Sequence, residues 1–128
     1  LIQRAQEILE TVAMADKQYA PVASLPHGDQ RKLEVALLMA LDPLVYMFDE
    51  PTAGMSAEEA PVILNLIRQL KADKRKTILL VEHKMDVVRE LADRIIVLHN
   101  GLLVADGEPA EVIASPIVQE AYLGVAPT

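Results

Sequence analysis

Leu44-Val45-Tyr46-Met47-Phe48-Asp49-Glu50-Pro51 is the stretch on which the fold turns. It opens as a short unbroken apolar run and closes abruptly on two carboxylates and a proline. A run of this kind reads as a strand covered on both faces, as in a parallel sheet, whereas a half-exposed strand alternates. Downstream, Thr77-Ile78-Leu79-Leu80-Val81 repeats the pattern and ends in Glu82-His83. Between the two, a loop passes through Gly54, and Ser56 is placed to cap a helix with Glu58 and Glu59 in its first turn. That helix should run to about residue 70, before the polar stretch 71–76.

Outward from this centre the same alternation continues. Upstream, apolar residues at Leu1, Ala5, Ile8, Leu9 and Val12 have helical spacing. A loop punctuated by Pro26 and Gly28 follows, then a helix expected over residues 29–40, stopped by Asp42-Pro43. Downstream, a helix is expected over 85–92 and a third strand over 94–98. Asn100-Gly101 signals a hairpin into Leu102-Leu103-Val104. Short helices are expected over 109–114 and 117–123. Helices alternating with buried strands specify an α/β domain with a mainly parallel sheet.

The composition excludes several classes. The chain has 128 residues, 52% hydrophobic and 24% charged, which suits one domain with a packed core. Aromatics are only 3%, so the core is aliphatic. No cysteine is present, which removes disulfides, thiolate zinc sites and cysteine nucleophiles. The longest apolar run, residues 35–41, falls well short of the ~18 residues a membrane span needs. Twelve Lys and Arg against 19 Asp and Glu leave a net charge of −7, which argues against a nucleic-acid partner.

In parallel sheets ligands bind at the carboxyl ends of strands, where loops and helix N-termini converge. Asp49-Glu50 and Glu82-His83 both stand at such ends. One carboxylate of a pair can hold hydrated Mg²⁺ while its neighbour orients or deprotonates water. By itself the pair reads equally well as a solvated strand end. The loop 25–30 precedes a helix, whose first N–H groups can bind an anion.

Taken in order, Leu25-Pro26-His27-Gly28-Asp29, the strand 44–49, Ala53-Gly54-Met55-Ser56 and His83 resemble the C-terminal half of an ATP-binding-cassette ATPase, the nucleotide-binding subunit of ABC transporters. The likeness covers essentially the whole chain. It implies a partial P-loop NTPase domain, with residues 1–42 as the end of the helical subdomain and the signature helix, and 43–128 running from Walker B to the C-terminus. Leu25, Pro26, His27, Gly28, Asp29 and Gln30 then form the signature motif that contacts ATP. By the same resemblance Asp49 is the Mg²⁺ carboxylate, Glu50 the catalytic base and His83 the switch histidine. Glu50-Pro51-Thr52-Ala53-Gly54-Met55, Val81-Glu82-His83-Lys84-Met85 and Ala121-Tyr122-Leu123-Gly124 resemble the branched-chain amino-acid importers within that family.

The resemblance implies membrane permease subunits and a second ATPase subunit as partners, at the cytoplasmic face of the membrane. Two departures qualify it. Pro26 replaces the signature serine and Asp29 the glutamine, which loses a hydroxyl and adds negative charge near phosphate. None of the five glycines precedes a lysine, so the Walker A pattern Gly-x-x-x-x-Gly-Lys-Ser/Thr is absent. The chain is therefore expected to be a fragment, inactive alone and prone to self-association through uncovered strands. Competing readings are a noncatalytic interaction fragment of the same fold, a soluble ABC ATPase outside transport, and a metal-dependent hydrolase built on Asp49, Glu50, Glu82 and His83.

Overall fold

The computed structural model describes residues 1–123. The chain divides into two compact units, Leu1–Val81 and Glu82–Thr128.

In the first unit, α1 (Ile2–Thr11) leads through short 3₁₀ turns at Ala15–Lys17 and Val22–Ser24 into α2 (His27–Leu41). Val12 and Met14, just past α1, are almost fully buried. Helix α2 starts two residues earlier than the sequence reading placed it. Pro26 stands at its N-cap with φ −57° and ψ 158°, and the helix follows at once. A proline's fixed φ and missing N–H cost nothing at that boundary. The other end stops on Asp42, at φ 49°, whose N–H donates to the carbonyls of Leu38 and Met39. The Asp42 carboxylate is ion-paired with Lys76, whose Nζ also donates to the Tyr46 hydroxyl at 3.3 Å and lies 5.1 Å from the ring centroid. Lys76 thus joins the end of α2, strand β1 (Val45–Asp49) and the entry to β2 (Thr77–Val81).

Strands β1 and β2 pair parallel, with Val45 opposite Thr77 and Asp49 opposite Val81. The crossover between them is α3 (Ala60–Ala72), as parallel pairing requires. Ile63, Leu66, Ile67 and Leu70 of α3 are buried, as are Tyr46 and Phe48 of β1 and Val35 and Ala36 of α2. The two β1 rings stack with centroids 6.2 Å apart. This corrects the expectation of strands covered on both faces. Val45 and Met47 are 57% and 69% exposed, and Leu79 and Val81 of β2 are 49% and 54% exposed. Only one face of the pair is packed.

The second unit contains α4 (Met85–Leu91), β3 (Ile95–His99), β4 (Leu102–Gly107), α5 (Pro109–Ala114), α6 (Pro116–Val118) and a π-helical turn at Gln119–Leu123. The third strand does not extend the parallel sheet: among the described residues β3 pairs antiparallel with β4 in a separate two-stranded sheet. Asn100 and Gly101 take φ 50° and 76° at the hairpin tip, the left-handed pair that a two-residue turn needs to match strand twist. Arg94 grips Asp106 across the hairpin with two bonds of 2.8 and 2.7 Å. Ile95, Val97, Val112 and Val118 form the buried cluster, flanked by Val88, Ala92 and Val104. Gly124, which closes the Ala121–Gly124 resemblance, lies outside the described residues. Among those described, no helix is long and apolar enough to cross a membrane.

Candidate functional site

Strand β1 delivers Asp49 to its carboxyl end, exposed and opposite Val81. No hydrogen bond or ion pair from the described residues engages its carboxylate. Glu50 leaves the strand at φ +44°, yet its N–H still donates to Val81 O at 2.8 Å. A non-glycine residue in the left-handed region carries strain, which concentrates where geometry serves a function. The backbone then coils tightly: Ala53 N–H donates to Glu50 O at 3.0 Å and Met55 N–H to Thr52 O at 3.1 Å. Thr52 is fully buried beneath this turn, and Gly54 supplies the φ of +75° that it needs.

Ser56 and Glu59 close the loop with a reciprocal pair of bonds. Ser56 Oγ accepts the Glu59 N–H at 3.2 Å, and Glu59 Oε2 accepts the Ser56 N–H at 3.3 Å. This is a capping box, and the expected Ser56 cap is present, although the regular helix begins at Ala60.

The 25–30 turn is arranged differently from an array of side chains around phosphate. Leu25 is buried, and Pro26 offers no side-chain cap to the helix. Gln30 turns back, its Nε2 donating to Leu25 O at 3.1 Å. Asp29 is buried and ion-paired with Lys17, while its Oδ1 accepts from Lys32 Nζ at 3.4 Å. Its charge is therefore compensated within the unit. His27 is exposed, with Nε2 3.5 Å from Ala53 O. A cleft of ≈ 220 Å³ is lined by Arg31, Glu34 and Leu38 of α2 together with Met47, Phe48 and Asp49 of β1. Arg31 Nη1 donates to Glu34 Oε2 at 3.3 Å, and its Nε is buried with no partner among the described residues.

His83 opens the second unit, exposed, with Nδ1 3.7 Å from Glu82 Oε1. The same oxygen accepts the N–H groups of His83 (2.9 Å) and Lys84 (3.3 Å), so Glu82 shapes the turn before α4. The first unit thus gathers Asp49, Glu50 and residues 25–30, while His83 belongs to the second. Lys17, Arg31 and Glu59 were not singled out from sequence as site residues. The Ser-x-x-Glu spacing was a signal for Glu59, but nothing local pointed to Lys17.

Hydrogen bonding from Lys17, reinforced by Lys32 and opposed by burial, holds the Asp29 carboxyl below its ordinary value of 3.8. A depressed folded-state pKa adds stability that is present above the unfolded value of about 3.9 and lost as pH falls through the lower folded one. The chain should therefore lose urea resistance as the pH falls below about 4. Asp29→Asn should be less resistant at pH 7 and show a shallower acid limb. Circular dichroism of urea titrations checks both, and parallel acid limbs would remove Asp29 from the account.

Comparison with known proteins adds to this geometry. Residues 2–53 match the family described as ABC transporter, and residues 103–127 match branched-chain amino acid ATP-binding cassette transporter. The chain is 38% identical over 125 residues to the high-affinity branched-chain amino acid transport ATP-binding protein LivG of Salmonella typhimurium. It is 36% identical to the corresponding protein BraF of Pseudomonas aeruginosa. Each alignment takes in 98% of this chain and 49% of the relative, so the chain spans about half the length of the curated relatives it matches. Among solved structures, an ATP-binding cassette of an ABC transporter in its ADP conformation superposes with a TM-score of 0.80 at 30% identity, covering 97% of this chain and 50% of that one. A nucleotide-free cassette gives a TM-score of 0.81 at 29% identity, with the same coverage.

Proposed function

We propose that the chain belongs to the ABC transporter ATP-binding family and forms the half of an ATP-hydrolysing cassette that carries Asp49, Glu50 and His83, in an importer of amino acids. The observation that carries this reading is the Asp49-Glu50 pair at the carboxyl end of a parallel strand, with the Asp49 carboxylate unengaged by the described residues and Glu50 held left-handed.

The residues suit the implied cofactors. Mg²⁺ prefers hard oxygen ligands and keeps several waters, which one exposed carboxylate such as Asp49 satisfies. The start of α2 has no side-chain cap, so its first N–H groups are left as the donors a helix N-terminus can offer an anion. Pro26, Asp29 and Gln30 add no side-chain donor there, so the turn's contribution to ATP binding is through its backbone. Bound Mg²⁺ supplies positive charge that offsets the charge of the phosphates. Glu50 orients the attacking water and accepts its proton. His83 donates a hydrogen bond toward the terminal phosphate. Phosphoryl transfer needs such positioning and charge compensation more than covalent help.

The permease subunits and a second ATPase subunit are the partners of this reading, and the cytoplasmic face of the membrane is its location. The 128 residues contain no Gly-Lys-Ser/Thr loop, so the chain alone is expected to turn over no ATP. The assignment of Asp49 is tested by Asp49→Asn in a complete cassette carrying this chain. Loss of a charge-assisted ligand worth about 1.5–3 kcal/mol should weaken Mg²⁺-dependent ATP binding roughly tenfold or more, leaving Mg²⁺-free binding unchanged. Equal calorimetric affinities for Mg·ATP in the two proteins would overturn it.

A further inference from the structure

Two glycines and two side chains interlock within the first unit. The Glu59 carboxylate lies flat against Gly28 in the first turn of α2: a Cβ at Gly28 would stand 2.7 Å from Glu59 Oε1 and 3.1 Å from Oε2. Reciprocally, the His27 ring covers Gly54, where an added Cβ would stand 3.6 Å from Nε2, and the same nitrogen is 3.5 Å from Ala53 O. Each segment thus presents one glycine and one side chain to the other. Glu59 is anchored on its own side by the Ser56 N–H, and Gly54 sits in the tight turn built on Glu50.

From this geometry we infer that His27 and Glu59 are positioning residues that clasp the turn opening α2 to the loop following Asp49-Glu50. A displacement of either segment is carried to the other through these contacts. The glycines permit it, because any side chain at Gly28 pushes the Glu59 carboxylate away, and with it the acceptor of the Ser56 N–H. His27 is specific to this arrangement: a smaller residue there leaves Gly54 and the Ala53 carbonyl without a lid. The inference deepens the nucleotide reading, on which its consequence for turnover rests, since it makes the anion-facing turn and the acid-pair loop respond together.

Amide hydrogen exchange on the 128-residue chain, without nucleotide, tests the clasp separately from that reading. The reporters are the N–H groups of Ala53, Met55 and Ser56, bonded to Glu50 O, Thr52 O and Glu59 Oε2. The reference is Thr77, whose N–H donates to Leu44 O. Gly28→Ala should speed the three reporters several-fold relative to Thr77, even though alanine is the better helix former and α2 itself becomes no less protected. His27→Ala, at an exposed position that does not threaten folding, should do the same. His27→Gln, which restores a donor, should recover slow exchange. Reporters unchanged in both variants, or speeded only in step with Thr77, overturn the coupling and leave the assignment of Asp49 and Glu50 untouched.

Discussion

Glu50→Gln in a complete cassette carrying this chain is expected to cut ATP turnover by about 10²–10⁴-fold while leaving ATP affinity within a few-fold of the parent. Glutamine keeps the length, the shape and one carbonyl oxygen but cannot accept the proton of the attacking water. The backbone geometry should survive, because the left-handed φ of residue 50 and its N–H bond to Val81 O do not depend on the carboxylate. The contrast with Asp49→Asn is the informative part: one variant should lose rate, the other Mg²⁺-dependent affinity. Single-turnover kinetics beside equilibrium nucleotide titration separates the two. Equal loss of affinity in both variants would contradict the division of labour between adjacent carboxylates.

Self-association of the isolated chain is the second large effect expected. Val45, Met47, Leu79 and Val81 form an apolar face that is about half or more exposed, and β1 and β2 make a two-stranded sheet among the described residues. A two-stranded sheet is marginal alone, and an unpaired strand edge is a template for another chain. Burying such a face yields roughly 25 cal/mol per Å² removed from water, which gives a second copy a real driving force. Light scattering over a dilution series should show a mass that falls toward that of one chain as concentration drops. Met47→Lys with Leu79→Lys should move that transition to about tenfold higher concentration or more, since a lysine on the buried face must be desolvated. A monomer of the parent chain at high micromolar concentration would show that the open face carries no association.

Sequence reading and structure agree where local chemistry decides. Strand β2 (Thr77–Val81) and helix α5 (Pro109–Ala114) occupy the residues expected of them. A β-rich run between polar residues and a proline at the first helical position leave little choice. The hairpin tip was legible for the same reason, since Asn100-Gly101 prefers the left-handed conformation it adopts. What failed was non-local. An unbroken apolar run does not say whether a second layer will cover it, so Val45 and Met47 were read as buried and are exposed. Sheet membership is equally invisible from the strand itself, and β3 found its partner in β4 instead of joining the parallel pair.

The candidate site divides along the same line. Asp49, Glu50 and His83 stood out because polar pairs close two apolar runs, and the family resemblance gave them their roles. The state of Asp29 depended on Lys17, twelve positions away, and the Gly28–Glu59 contact depended on two segments meeting in space. Gly28 was read as loop punctuation because a glycine commonly breaks structure; here it lies within α2 and is needed for close approach.

The parallel pairing of β1 with β2 also sets a schedule for the chain as it is made. The hairpin β3–β4 closes over two residues and can form within microseconds of both strands being available. Strand β1, by contrast, meets β2 only after residues 50–76 have been added. At about 5–20 residues per second, that interval lasts roughly 1–5 s. Throughout it, Tyr46 and Phe48 have neither β2 nor a completed α3 beside them. For that interval the stretch that ends in the acid pair is open to holding factors and to neighbouring chains.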